Sequence, residues 1–265
     1  MSFDEATRVQ AIGAGRYTCH VSKDYWVVRG PNGGYLAAIL TRAGEAHLAD
    51  PSRQLRSLTV HYLRPPGEGA AEIEVTSEQL GRSVAYLRIA MTQAGKPIGL
   101  ATGAWATPRE GFDFLGWPAP EVAPPEACPD LTKVREGASI PIHGQWEIRS
   151  ATEGAMFGSG QPPDLTWWIR PRTPRPLDAA LLVAISDALP PPIFVTDVGP
   201  MAVPTIDLTI HVRALLAGVD WTAGDWVLTR FTTQYASGGF LEEDGAIWTA
   251  GGVLLAHSRQ LALSI

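Results

Sequence analysis

The chain has 265 residues, a formal net charge of -6, 45% hydrophobic residues and 18% charged ones. Such a length allows one large domain or two small ones, and the composition is that of a folded globular chain. The acidic balance argues against a nucleic-acid partner, whose phosphates call for a basic surface, and no apolar run reaches the roughly 18 residues that mark a membrane-spanning helix.

Residues 21–28 read as a strand. Gly30-Pro31-Asn32-Gly33-Gly34 then turns the chain into a helix of about four turns, to roughly His47. That helix is apolar on most faces, the pattern of a buried helix. Strands are predicted near 55–64, 71–79, 82–93 and 97–107, all rich in Val, Ile, Thr and aromatics. Pro65-Pro66-Gly67 and Gln93-Ala94-Gly95 mark the turns between them. Residues 108–141 hold many prolines and little periodicity, so they read as a connection. Strands near 144–150, 154–159 and 164–170 follow. Pro174-Arg175-Pro176 leads into a second apolar helix with Asp178 as N-cap or first-turn acid, and Pro190-Pro191-Pro192 ends it. Strands near 203–213, 225–235, 239–249 and 253–264 complete the chain.

The two halves repeat. Leu58-Thr59-Val60-His61 returns 150 residues later as Leu208-Thr209-Ile210-His211, each after its apolar helix. Each is followed by strands joined at a glycine turn, Ala94-Gly95 and Gly251-Gly252. A buried helix wrapped by an antiparallel sheet is the hotdog architecture, and two copies make an α+β double hotdog with sheets joined edge to edge. The expected division is 1–108 for the N-terminal hotdog, 109–141 for the connection and 142–265 for the C-terminal hotdog.

The start, Met1-Ser2-Phe3-Asp4-Glu5, carries neither a basic n-region nor an apolar h-region, so the cytoplasm is the expected compartment. Cys19 and Cys128 are the only cysteines, too few for a disulfide framework or a zinc site.

Asp187 ends an otherwise apolar helix. The helix dipole disfavours a carboxylate there by up to about 1 kcal/mol. Apolar neighbours add desolvation, which raises its pKa towards that of a useful base; an exposed helix end would leave it merely solvated. Thr205 opens one predicted strand and Gln260 lies in the last. Both are neutral hydrogen-bonding groups that could hold a water beside a carboxylate, and either could equally face solvent. Gly33-Gly34 opens the first helix, where free N–H groups can hold an oxyanion or simply make a tight turn. His61 and His211 occupy matched places, which suggests packing or a shared hydrogen bond. No Gly-x-Ser-x-Gly elbow, His-Glu-x-x-His motif or phosphate-binding glycine loop is present.

Taken in order, these segments resemble the acyl-CoA thioesterase II family, the TesB-like double hotdogs, over nearly the whole chain outside the connection. The resemblance rests on Asn32-Gly33-Gly34, Tyr62-Leu63-Arg64-Pro65 and Leu80-Gly81-Arg82-Ser83 in the first half. In the second it rests on Ser186-Asp187, Pro204-Thr205-Ile206-Asp207 and Leu254-Leu255-Ala256-His257-Ser258-Arg259-Gln260. It implies hydrolysis of an acyl-CoA by a water that Asp187, Thr205 and Gln260 orient, without metal or organic cofactor. Many relatives carry a histidine where this chain has Thr59. Arg42 matches Asp187 in the first copy and Gly103 matches Gln260, so one working site is expected, with Gly33-Gly34 serving the oxyanion across the interface between copies. Arg64 and Arg82 are candidate CoA contacts, and exposed sheet edges favour a homo-oligomer. Two rival readings remain: an enoyl-thioester hydratase, against which the absence of an Asp-x-Asn-Pro-x-His pattern counts, and a non-catalytic acyl-CoA binding protein.

Overall fold

A computed structural model of the chain describes residues 1–132, 140–152, 157–199 and 201–265. The chain opens with a single helical turn, α1 (Phe3–Ala6), closed by a reciprocal Ser2–Glu5 capping box. A hairpin of β1 (Val9–Gly13) and β2 (Arg16–Val21) follows. The strand expected over 21–28 is displaced to β2, because alternation buries Tyr17, Cys19 and Val21 on one face. At Ser22 the hydroxyl accepts from the Asp24 amide and starts a 3-10 turn instead. That turn delivers Tyr25 to stack on Tyr35 at 4.5 Å.

The first long helix, α2 (Gly33–Leu48), begins where the Asn32 side chain accepts from the Tyr35 amide. Around it wrap β3 (Gln54–Tyr62), β4 (Gly69–Leu80), β5 (Val84–Gln93) and β6 (Lys96–Ala106). The second half supplies β7 (Trp146–Ser150), β8 (Asp164–Pro171), α3 (Ala179–Ile185), β9 (Thr205–Val212) and β10 (Val227–Thr232). It ends with the two-residue β11 (Ala236–Ser237), then β12 (Phe240–Thr249) and β13 (Leu254–Leu263). Of the strand expected over 154–159, residues 154–156 lie outside the described residues, and 157–159 form a turn.

The strands of the described residues join one sheet in the order β1-β2-β4-β5-β6-β3-β9-β13-β12-β10-β8-β7, with β11 paired to β12. This is a double hotdog, and the halves meet where β3 pairs antiparallel with β9. The repeated segments therefore lie against each other. Leu58 faces Ile210, Val60 faces Leu208, and Thr59 faces its own counterpart Thr209. The two threonine hydroxyls are 2.9 Å apart, which puts a pseudo-twofold axis between them.

On the concave side α2 packs against α3 with fully buried Ala37, Ala38, Ile39, Leu182 and Val183. The helices come close at Gly34, where a Cβ would stand 2.7 Å from the Ala184 carbonyl oxygen. The start of α2 is thus pressed against the end of α3. Among the described residues no helix is long and apolar enough to cross a membrane.

Candidate active site at the crossing of the two central helices

Asp187 lies two residues beyond the last residue of α3, in the turn that ends it, not inside the helix as expected. Ser186 caps α3 and donates its hydroxyl proton to the Val183 carbonyl. This turn aims Asp187 at the start of α2. The Gly34 N–H donates to Asp187 Oδ2 at 2.8 Å, and Asn32 Nδ2 donates to the same oxygen at 3.0 Å and to the Asp187 carbonyl at 2.6 Å. The carboxylate so meets the positive end of α2. Tyr62 closes the other side, its hydroxyl donating to the Gly33 carbonyl at 2.8 Å. A Cβ on Gly33 would approach Asp187 Oδ2 to 2.9 Å and the Tyr62 hydroxyl to 3.0 Å, so glycine is the residue that admits both.

Burial pushes the Asp187 carboxyl up to about 6, while hydrogen bonds from the Gly34 amide, the Gln260 side chain, the Gly33 amide and Asn32 pull the other way. A carboxylate in that range is ionised at neutral pH and still basic enough to take a proton from water. The Gly34 amide, expected to face an oxyanion, here faces this carboxylate.

Thr205 and Gln260 come from neighbouring strands β9 and β13. The Thr205 hydroxyl donates to Gln260 Oε1 at 2.9 Å. Gln260 is buried, and its Nε2 donates to Glu243 Oε1 on β12 at 2.7 Å. The Gln260 side chain is also among the groups that hold the Asp187 pKa down, which sets it beside that carboxyl. The structure therefore joins Asp187, Gly33, Gly34, Thr205 and Gln260, contributed by both halves, in one polar cluster. Glu243 is 4% exposed, and its carboxyl is pushed well above the usual range by burial, with the Asp187 charge adding to the effect.

The symmetry-related positions hold no such cluster. Gly103 pairs with Leu58 and Leu87, as Gln260 pairs with Leu208 and Glu243. A Cβ on Gly103 would meet the Trp105 ring at 2.6 Å, so tryptophan fills the space a glutamine would take. Arg42, which the sequence match set against Asp187, reaches the α3 N-cap Asp178 at 2.7 Å; counted from the two N-caps, the buried Thr41 stands at the place of Asp187. A cavity of about 490 Å³ lies at this other end, lined by Glu45, Leu48, Arg53, Gln54, Leu177 and Leu216.

Family models for the acyl-CoA thioesterase N-terminal and C-terminal domains match residues 22–107 and 125–264. The chain belongs to the acyl-CoA thioesterase family. Among solved structures, this thioesterase-family chain is similar to a hot dog fold protein of unknown function from Alicyclobacillus acidocaldarius. The two are 27% identical with a TM-score of 0.90, over 99% of this chain and 97% of that one. An acyl-CoA thioesterase II from Mycobacterium marinum shares the fold at 21% identity and a TM-score of 0.79, over 100% and 98% of the two chains. An uncharacterised protein of Mycobacterium tuberculosis is 24% identical, over 91% of this chain and 88% of that one.

Three residues around the thioesterase-family cluster escaped sequence reasoning as site residues: Asn32, Tyr62 and Glu243. Asn32 was read only as part of the turn into the first helix, not as a donor to a carboxylate 155 positions away. Glu243 sits in the acidic run Glu242-Glu243-Asp244, which reads as solvated charge. Period-2 alternation with Leu241 and Gly245 was the signal that it points inward. Arg64 follows β3 just past Tyr62, near the cluster. Arg82 lies elsewhere: its carbonyl accepts from Arg53, beyond the far end of α2, a helix whose 16 residues span about 24 Å. Among the described residues no group of three or more His, Cys, Asp or Glu is arranged to hold a metal ion.

Proposed function

We propose that this chain hydrolyses an acyl-CoA to the free acid and CoA. The observation that carries the proposal is the meeting of Asp187 with the Thr205–Gln260 pair at the start of α2, in a family of acyl-CoA thioesterases. Asp187 is the general base or water-orienting group, and Thr205 and Gln260 fix the water so that attack is effectively intramolecular. Water oxygen bonds to the thioester carbonyl carbon as its proton passes to Asp187. The tetrahedral oxyanion takes the Gly33-Gly34 amides as the carboxylate turns to the water. Collapse breaks the C–S bond, and the Asp187 proton leaves with the CoA sulfur. These steps call on neither metal nor organic cofactor. The acyl tail lies beside the two central helices.

The same reading keeps the division into 1–108, 109–141 and 142–265, a cytoplasmic setting in fatty acid metabolism, and a homo-oligomer formed through sheet edges, which end in β1 and β7. The test is free-thiol release from a panel of short, long and aromatic acyl-CoAs, with Asp187→Asn as control. Release by wild type and at least about 100-fold less by the variant is the expected result. Equal turnover by both would remove Asp187 from the mechanism. Hydration of crotonyl-CoA without thiol release would mean a hydratase, and a tight complex without turnover a binding protein.

A further inference from the structure

We propose that Glu243 is a positioning residue of this site, which fixes the Gln260 amide so that its oxygen faces Thr205 and its nitrogen faces Asp187. The proposal rests on the hydrolytic reading above for its catalytic consequence, but not for the placement of Gln260.

A glutamine amide has two donors and one acceptor oxygen, and rotation by half a turn exchanges them. In this site Oε1 accepts from Thr205 and Nε2 donates to Glu243 Oε1. Without Glu243 one N–H would face the apolar interior, and the amide would lose the contact that fixes its rotation. The glutamine reaches the Asp187 side only in this orientation, since an ionised carboxylate accepts and does not donate. The nitrogen therefore lies between two carboxyl groups, and both cannot be charged there without strong repulsion. Glu243 is the more deeply buried, and its Oε2 has no hydrogen-bond partner, so it is the one that stays neutral beside an ionised Asp187.

The molecule contains its own control. Strand register equates Glu243 with Leu87 of the first copy, through Gly103. Leu87 is 1% exposed and belongs to the main core. The fold thus accepts, and in its other half uses, a plain apolar side chain at this place. A buried carboxyl with an unpartnered oxygen is a poor choice for stability. Among the described residues it is found only in the copy that also holds Asp187, Thr205 and Gln260.

Two variants and two readouts test this. Glu243→Leu installs the first copy's residue, and Glu243→Gln keeps a neutral acceptor for Gln260 Nε2. Exchange of the Gln260 side-chain amide protons, followed by NMR with selective glutamine labelling, reads the placement without turnover. In Glu243→Leu it should quicken by about tenfold or more, and in Glu243→Gln stay near wild type. In thiol release, Glu243→Leu should lower kcat about tenfold or more with KM within about twofold, and Glu243→Gln should restore kcat to within about threefold. Unchanged amide exchange in Glu243→Leu would overturn the proposal. So would a Glu243→Gln variant as inactive as Glu243→Leu, which would make Glu243 a proton donor in the reaction itself. Absence of thiol release from wild type would sink the hydrolytic reading alone, and the NMR result would still decide the placement.

Discussion

At the scale of single residues, Asp187 is caught between burial and the start of α2. Burial wins and lifts its pKa to about 6. In the proposed reaction the ionised form is the active one, so kcat/KM should fall about tenfold per pH unit below that value and level off above it. A profile flat from about pH 4.5 to 8 would exclude Asp187 as the titrating base. The same shift has a consequence for stability. The folded pKa lies above the ordinary 3.8, so between those values the folded chain holds a proton that the unfolded chain has lost. Stability therefore falls as pH rises from about 4 to 6, and Asp187→Asn escapes the loss. That variant should be more stable than wild type at pH 8, by up to about 3 kcal/mol, with the gap closing towards pH 4. Urea unfolding at the two pH values measures this, and an equal gap at both would refute the linkage. The direction of the shift was legible from the apolar neighbours of Asp187, but its partners were not. Local sequence placed Asp187 at the end of an apolar helix, where a merely solvated carboxylate was the readier reading. The deciding partners, Asn32 and Gly34, are more than 150 positions away.

At the scale of elements, the site is a joint between the start of α2 and the end of α3, and Gly34 sets their separation. A Cβ there would stand 2.7 Å from the Ala184 oxygen and 2.9 Å from the Asp187 Cβ. The first of these is backbone and cannot rotate away. Gly34→Ala should therefore cost about 1–3 kcal/mol in stability, the usual price of overpacking. By pushing α3 away it should also cut turnover at least tenfold, on the rule that about 1 Å of misplacement costs about 100-fold. Thermal unfolding and thiol release check both, and a variant with wild-type turnover would show that the helix contact does not set the site. Elements of this kind were the most legible part of the chain. Asn32 and Asp178 cap the two helices, and alternating burial marks the long strands. The N-terminal hairpin was less so, because the Ser22 turn and the Tyr25–Tyr35 stack that end β2 depend on a helix ten residues further on. Glu243 stayed hidden because its neighbours Glu242 and Asp244 look the same in sequence while facing the other side of the sheet.

At the scale of the whole molecule, the pseudo-twofold axis at Thr59 and Thr209 gives the helix pair two equivalent ends. Each end sets the N-cap of one helix against a residue beside the other. At one end Asn32 meets Asp187, with Thr205, Gln260 and Glu243 behind it. At the other Asp178 meets Arg42, with Gly103 and Leu87 at the places of Gln260 and Glu243. The repeat gives both ends a similar geometry, and at this end the Arg42 and Arg175 guanidinium groups make an ion cluster with Asp178. Arg175, 7% exposed, donates to Asp178 at 2.6 Å and to Asp4 at 2.8 Å, and so ties the N-terminal turn to α3. Its guanidinium also lies 4.8 Å from the Phe3 ring centroid. Removing it by Arg175→Ala strands Asp178 with Arg42 as its remaining cation and should cost about 2 kcal/mol or more, an amount discounted for the exposure of Asp4. The two ends should then respond in opposite ways. Arg175→Ala should lower stability and, below its melting temperature, leave kcat and KM within about twofold of wild type. Asp187→Asn should lower kcat and raise stability. Urea unfolding and thiol release on both variants test the pair. If folded Arg175→Ala lost turnover, the ion cluster would belong to the working site, and the assignment of one site per chain would fail.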